Sequence, residues 1–267
     1  MRSLLRPALL IAALAFGAGP AAAYTAAYEA LLTRYVTKGP TGVNLVDYGR
    51  WQSAASDRAA LENFIKDEQT QRPSTLERNQ RFAYWANLYN AITVKVILDH
   101  YPVASIRDIK SEGVWLDPKA FTGPWVAKRV TVEGHELSLD DIEHKILRPI
   151  FKDPRVHYSV NCASLGCPNL RPKAWHAETL DADLDNAARD YVNNARAATV
   201  TPDGSLKVSS IYSWFKADFG GTDAGVIAHL KQYAQLALAE RLKTVSTIAA
   251  DSYDWGINDT AGKRIGN

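Results

Sequence analysis

The chain has 267 residues, with 31 lysines and arginines against 29 aspartates and glutamates, and 10% of its residues are aromatic. This near-balance of charge offers no basic face of the kind that recognition of nucleic acid requires, so we expect no nucleic-acid partner. The length, without internal repeats or low-complexity tracts, is typical of one large globular domain.

The first 23 residues have the three parts of a secretory signal peptide. Two arginines precede a short apolar run at 8–16, and alanines at 21–23 supply the small residues that signal peptidase needs. The apolar run is shorter than the roughly 20 residues that span a bilayer. We therefore expect cleavage near Ala23 and a periplasmic or secreted protein. Residues 24–267 should form a single domain with no integral membrane segment.

Helical spacing of apolar residues dominates the first half of the chain after residue 23. It predicts helices over residues 24–36, 57–66 and 76–100. The last of these is apolar on nearly every face and stops before Pro102, so we expect it to be the central buried helix. Pro and Gly residues predict a loop over 113–124, and alternation around Glu133-Gly134 predicts a β-hairpin within 125–139.

The second half mixes helices and strands without a regular order. Ser138 and Asp141 have the spacing of a capping box, which predicts a helix that Pro149 ends or kinks near Arg148. Alternation predicts a strand over 155–161. Further elements are a short strand at 205–210 and helices at 180–192, 211–219 and 224–242. This order predicts an α+β fold, mostly helical, with a small antiparallel sheet.

Two predicted helices carry polar residues at positions where their pattern requires apolar ones. In the helix after Ser138, Glu143 falls inside the apolar arc and His144 lies just beyond its edge. A carboxylate that faces the core must be paired, hydrogen-bonded or protonated. Glu143 is therefore either a structural ion-pair partner or an acid–base group. Asn87 and Asn90, about one turn apart on the central helix, either hold loops or line a site.

Both cysteines lie in the segment RVHYSVNCASLGCP, residues 155–168. The predicted strand places His157 and Asn161 on one face and ends at Cys162, where small residues leave the thiol reachable. Such a thiol can act as a nucleophile if a nearby base or cation favours the thiolate. His157 and His144 are the nearest candidates along the sequence, and both remain open.

The residues alone leave four interpretations of the cysteines open. The first is a disulfide between Cys162 and Cys167, the sole pair in an exported chain. The second is a nucleophilic Cys162 assisted by a histidine, which a reversible disulfide to Cys167 could protect. The third is a zinc site with His157 and His176, although the spacing lacks a C-x-x-C knuckle. The fourth is a pair of inert thiols.

Six motifs give the chain a resemblance to a known family. They are VDYGRW (46–51), FAYWANLYNAITV (82–94), LSLDDIEHKILR (137–148), DPRVHYSVNCASLGCPNL (153–170), IYSWFKADFGG (211–221) and YDWGIND (253–259). In this order they resemble domain-of-unknown-function family 547 over nearly the whole chain after residue 23. The residues that match its signature are Asn90, Glu143, His144, His157, Asn161, Cys162 and Cys167. A histidine before an Asn-Cys pair also resembles, more faintly, permuted papain-like thiol hydrolases, which implies a papain-like arrangement by analogy.

The resemblance favours a reactive site at Cys162. We predict an exported thiol-dependent hydrolase or acyl transferase that acts on an amide or thioester of a small molecule or peptide, without a cofactor or metal. Cys162 attacks the carbonyl carbon, one of the two histidines carries the proton, and Glu143 orients the imidazole. Asn90 or the backbone N–H of Ala163 stabilises the oxyanion.

A second function from another class remains open. In this alternative the protein is a non-catalytic envelope binding or scaffold module. Cys162 and Cys167 then form a structural disulfide, and the buried polar residues hold loops.

Overall fold

A long buried helix lies at the centre of the fold. It spans Arg78–His100, and nearly every side chain from Phe82 to Leu98 is buried. Glu77 and Gln80 form a capping box at its start. The predicted central helix is therefore confirmed, and it begins two residues later than predicted.

The computed structural model describes residues 20–110 and 123–262. Most of the predicted signal peptide and most of the predicted loop at 113–124 lie outside the described residues.

Helices make up most of the described chain. In chain order they are α1 (Pro20–Tyr35), α2 (Tyr48–Ser53), α3 (Ala55–Glu68), α4 (Arg78–His100), α5 (Arg148–Phe151), α6 (Val156–Ser159), α7 (Leu180–Val192), α8 (Ser210–Trp214), α9 (Asp223–Tyr233) and α10 (Leu236–Leu242). Short 3-10 turns span Pro73–Thr75, Ile106–Asp108 and Lys216–Phe219, and a π-helix spans Asp141–Leu147. No helix in these ranges is long and apolar enough to cross a membrane.

The strands are short and lie in three small sheets. They are β1 (Val36–Lys38), β2 (Asn44–Val46), β3 (Val130–Val132), β4 (His135–Leu137), β5 (Ala198–Val200), β6 (Leu206–Ser209) and β7 (Ile248–Ser252). β1 pairs with β2 and β3 with β4, both antiparallel, and the third sheet has the order β5-β6-β7 with β6 and β7 parallel. The predicted α+β fold is confirmed.

The predicted hairpin is confirmed, whereas the predicted C-terminal helices are each divided into two elements. Glu133 and Gly134 have φ values of 49° and 80°, the left-handed pair that a tight two-residue hairpin requires. The helix predicted over 224–242 is divided, because Ala234 is extended between α9 and α10. The helix predicted over 211–219 is α8 followed by a 3-10 turn that ends at Gly220, with φ 92°.

The predicted strand at 155–161 is wrong, because Val156–Ser159 forms one helical turn, α6. The Asp153 side chain accepts a hydrogen bond from the Arg155 N–H at 2.8 Å, and the next three N–H groups donate to carbonyls three residues earlier. An Asp-Pro start favours such a turn. The alternation of apolar and polar residues predicted a strand with one buried and one exposed face. In the structure all four side chains of α6 are buried, so the alternation does not mark two different faces.

Buried apolar side chains form two clusters. The first surrounds α4 and includes Val156, Val160 and Ala163. The second packs α7 and α9 on the β5-β6-β7 sheet and includes Tyr158. The segment that carries the cysteines therefore runs between the two clusters.

Candidate active site

A cavity of about 470 Å³ opens beside the cysteine segment. Five of the seven predicted site residues line it, namely Glu143, His144, His157, Cys162 and Cys167. Most of the other lining side chains are aromatic or apolar. An apolar cavity with a few convergent polar groups is the usual form of a small-molecule site.

The Cys162 sulfur lies in a cluster of hydroxyl and thiol groups. Its Sγ is 2.9 Å from the Tyr253 hydroxyl, 3.2 Å from Ser164 Oγ and 2.9 Å from the Sγ of Cys167, and both cysteines are free thiols. Burial and the charge of Glu143 act to raise the pKa of Cys162, but the three hydrogen bonds outweigh them and lower it. Burial raises the pKa of Cys167 well above its ordinary value. Of the two thiols, Cys162 therefore has the lower pKa.

Two asparagines fix the backbone on either side of Cys162. The Asn90 amide donates to the Ser159 carbonyl at 2.9 Å and accepts from the Asn161 N–H at 2.8 Å. Asn161 in turn accepts from the Ala163 N–H at 2.9 Å and holds Ala163 at φ 58°, an uncommon conformation for a residue with a side chain. Both predicted oxyanion donors, the Asn90 amide and the Ala163 N–H, are thus bonded within the protein. The structure gives them a positioning role.

Tyr253 reaches the sulfur through backbone pairing between two distant segments. The Leu165 N–H donates to the Gly256 carbonyl at 2.7 Å, and the Gly166 N–H donates to the Asp254 carbonyl at 2.8 Å. A Cβ at Gly166 would lie 2.8 Å from the Asp254 nitrogen, so this approach requires glycine. Sequence reasoning missed the role of Tyr253, whose one signal was its place in the YDWGIND motif.

His157 lies between two carboxylates. Its Nε2 is 2.7 Å from Asp218 Oδ2, its Nδ1 is 3.9 Å from Glu143 Oε1, and its ring stacks on Phe215 at a centroid distance of 4.3 Å. Asp218 also accepts a hydrogen bond from Arg148 Nε at 2.6 Å. His157 and then Arg148 hold the pKa of Asp218 well below its usual range. Asp218 was not predicted, and its one signal was its place in the IYSWFKADFGG motif.

The π-helix sets the direction of Glu143 and His144. It begins with the predicted capping box, in which the Ser138 N–H donates to Asp141 Oδ2 and the Asp141 N–H donates to Ser138 Oγ. It ends where the Arg148 N–H donates to the Glu143 carbonyl, five residues back. Pro149 therefore marks a change of helix type, and the chain continues as α5. π-helical turns are rare and are concentrated at functional sites.

The histidines do not contact the thiol within the described residues. His144 Nδ1 is 3.1 Å from Arg148 Nη1 and its Nε2 is 3.5 Å from Asp140, while His157 is held by Asp218. The carboxylate of Glu143 accepts a hydrogen bond from the Tyr89 hydroxyl at 3.1 Å, and its charge acts on Cys162. Glu143 is therefore electrostatically linked to the sulfur.

No cluster of three or more His, Cys, Asp or Glu side chains in the ranges 20–110 and 123–262 has the spacing to hold a metal ion. His176, a member of the zinc interpretation, bonds instead to Glu29, with Nε2 2.7 Å from Oε2. The two thiols, for their part, hydrogen-bond to each other and to hydroxyl groups.

Residues 73–192 match the model of a family described as protein of unknown function, DUF547. The chain resembles this family. The DUF547 match includes all seven signature residues, from Asn90 to Cys167, but the resemblance predicted over nearly the whole chain is broader than the matched region. Asp218 and Tyr253 lie outside it. No curated protein and no solved structure matches the chain.

Proposed function

We propose that this protein is a thiol-dependent hydrolase or acyl transferase that acts on an amide or thioester, with Cys162 as the nucleophile. The observation that carries the proposal is the position of the Cys162 sulfur, which lines a cavity and keeps a lowered pKa through three hydrogen bonds. The thiolate is the reactive form of cysteine, and inert thiols are normally buried, as Cys167 is.

The first half-reaction forms an acyl-enzyme. The sulfur attacks the carbonyl carbon while the thiol proton passes to Glu143, and the electron pair of the C=O π bond moves to oxygen. The Tyr253 hydroxyl, which bonds to the sulfur before attack and accepts a hydrogen bond from Ser164 Oγ, then donates to the oxyanion as the negative charge moves there. Collapse of the intermediate breaks the bond to the leaving group, which takes the proton from Glu143.

The second half-reaction releases the acyl group. Water, in a hydrolase, or an amine or thiol, in a transferase, gives a proton to Glu143 and attacks the thioester carbon, and the Cys162 sulfur leaves. His157, fixed by Asp218 and Phe215, holds its Nδ1 towards Glu143 and positions the carboxylate. This mechanism exchanges the predicted roles, since the carboxylate carries the proton and the imidazole orients it.

The alternative function also has an observation in its favour. The Cys162 and Cys167 sulfur atoms are 2.9 Å apart, so a small movement would allow a disulfide. The protein would then be a non-catalytic envelope binding or scaffold module. Both proposals include export to the periplasm or beyond, which rests on residues 1–23, and disulfides persist in such compartments.

Thiol mapping distinguishes the two functions. The purified native protein is treated with iodoacetamide between pH 5 and 9, and each cysteine is followed by mass spectrometry. We expect rapid alkylation of Cys162 at a pH of about 6, below the ordinary cysteine range, with the buried Cys167 of the same molecule as the slow internal control. Complete oxidation of Cys162 to Cys167 that persists in mild reductant would refute the thiol enzyme and support the binding module.

A further inference from the structure

A wall of aromatic rings begins at the Cys162 sulfur. The Tyr253 hydroxyl contacts the sulfur, and the Tyr253 ring centroid is 4.7 Å from that of Trp255 and 5.0 Å from that of Trp214. Trp255 is also 5.8 Å from Trp125, in an edge-to-face contact. All four rings line the cavity, so we call them the aromatic wall. It provides a continuous apolar surface that starts at the nucleophile.

The outer part of the aromatic wall is open to solvent. Trp214 is 50% exposed, and Val126, which also lines the cavity, is 38% exposed. They are among the few large apolar side chains that are exposed in the described part of the chain. Exposed apolar groups gathered at one cavity, rather than scattered over the surface, indicate a binding site.

Polar groups line the cavity as well. Glu143, His144 and His157 are among them, and Glu143 Oε1 lies 3.9 Å from His157 Nδ1. A carbonyl carbon held at Cys162 has two substituents, and the leaving group must lie near Glu143, which protonates it. The other substituent, the acyl group, is then left on the side of the aromatic wall.

We infer that the aromatic wall is an acyl-binding subsite and that the substrate is a thioester or amide of an apolar carboxylic acid with an aryl or medium-length alkyl group. This inference rests on the proposed function for the identity of the nucleophile. Ring faces gain free energy by covering apolar surface. The rings of Tyr253, Trp214 and Trp125 offer a charged acyl group no charged partner. Arg107, which also lines the cavity, lies over the Trp255 ring with its Cζ 5.1 Å from the centroid. The acyl group stays on the wall in the acyl-enzyme and leaves with the product.

A thioester series tests the inference. The acetyl, butyryl, octanoyl and 3-phenylpropionyl thioesters of N-acetylcysteamine share one small polar leaving group, so differences in turnover report the acyl group. We expect kcat/KM to rise roughly threefold for each added methylene that is buried, and the octanoyl and phenylpropionyl arms show whether an alkyl or an aryl group is preferred. Trp214→Ala should lower the octanoyl-to-acetyl ratio about tenfold. Leu236→Ala, which removes an exposed apolar side chain of α10 outside the cavity, should leave the ratio unchanged.

A binding measurement separates this inference from the proposed function. Neutral octanamide is titrated into the Cys162→Ala variant by calorimetry, and we expect binding that Trp214→Ala weakens in the same background. If Cys162 is acylated by all thioesters without preference and octanamide does not bind, the subsite is refuted while the thiol enzyme stands. If octanamide binds but no thioester acylates Cys162, the proposed function fails, and with it the assignment of the wall to an acyl group.

Discussion

The two sides of the cavity are held by different kinds of interaction. On the thiol side, Cys162 is surrounded by uncharged hydrogen-bonding groups, the hydroxyls of Tyr253 and Ser164 and the thiol of Cys167, at 2.9–3.2 Å. On the carboxylate side, Glu143 and His157 belong to an ionic network with Asp218 and Arg148, whose shortest contacts are 2.6–2.7 Å. Hydrogen bonds with uncharged groups lower the pKa of Cys162, whereas His157 and Arg148 hold the pKa of Asp218 low.

The two sides meet at Glu143. Its negative charge raises the pKa of Cys162, against the effect of the hydrogen bonds on the thiol side. The reactivity of the sulfur therefore depends on a balance between the hydrogen bonds that lower its pKa and the carboxylate charge that raises it. Substitutions on either side should shift this balance.

The largest effect is expected from loss of the sulfur itself. Cys162→Ala should lower kcat/KM for the thioester substrates by at least about 1,000-fold, because the covalent route is removed. Steady-state kinetics measure the effect, and circular dichroism checks the fold. Cys167→Ala is the comparison variant, since it keeps the nucleophile and removes the hydrogen bonds that Cys167 Sγ accepts from the N–H and Sγ of Cys162, so it should lower turnover far less than loss of the sulfur. Comparable activity in Cys162→Ala and the native protein would contradict the mechanism.

On the carboxylate side, Glu143→Gln should separate reactivity from turnover. The variant loses the proton carrier, so kcat should fall by about 100-fold or more. It also loses the negative charge that raises the pKa of Cys162, so that pKa should fall and iodoacetamide should react faster at acid pH. Glu240→Gln, an exposed glutamate paired with Lys243, is the control. A slower alkylation at acid pH would show that the charge of Glu143 does not act on the sulfur.

On the thiol side, Tyr253→Phe should have the opposite effect on the sulfur. One donor to the thiolate is lost, and because a hydrogen bond to a charged group contributes about 1.5–3 kcal/mol, the pKa of Cys162 should rise by about one to two units. The pH midpoint of alkylation measures this shift. Tyr233→Phe, which removes a hydroxyl bonded to Asp185, provides the control. An unchanged midpoint would mean that Tyr253 does not stabilise the thiolate.

The smallest effect is expected in the outer part of the ionic network. The pKa of Asp218 is lower in the folded protein than the unfolded value of about 3.9, so its contribution to stability is present above that value and is lost as the pH falls through the folded pKa. Asp218→Asn should lower the free energy of unfolding at pH 7 by about 1 kcal/mol, because the pair is partly exposed. Urea unfolding should show this difference shrinking below about pH 4. A difference that grows on acidification would have the wrong sign.

Elements whose determinants are local were predictable. The capping boxes at Glu77 and Ser138 mark the starts of α4 and the π-helix, and Glu133-Gly134 marks a tight hairpin. That Glu143 needs a partner also followed, because a carboxylate inside an apolar arc must be paired or hydrogen-bonded, and it accepts a hydrogen bond from the Tyr89 hydroxyl. The motif spacing located five of the residues that line the cavity.

Elements that depend on neighbours in space were not predictable. Residues 156–159 form a turn in place of a strand because both sides of the segment are buried between two clusters. The role of Asn90 as a clamp depends on the backbone of Ser159 and Asn161, about 70 residues away in sequence. Helical and strand periodicity predict which face of an element a side chain lies on, but they do not predict which residue of another element it contacts.

The sequence by itself determined the fold class, the central buried helix and the segment that carries Cys162, since hydrophobic periodicity, capping and motif spacing act over a few residues. The tertiary structure alone decided which groups control the sulfur. Tyr253 and Asp218 reach Cys162 and His157 across 91 and 61 residues, through backbone pairing and packing that no local pattern records. The pKa of a thiol depends on such near neighbours, because hydrogen bonds and desolvation act over a few ångströms in space and not along the chain.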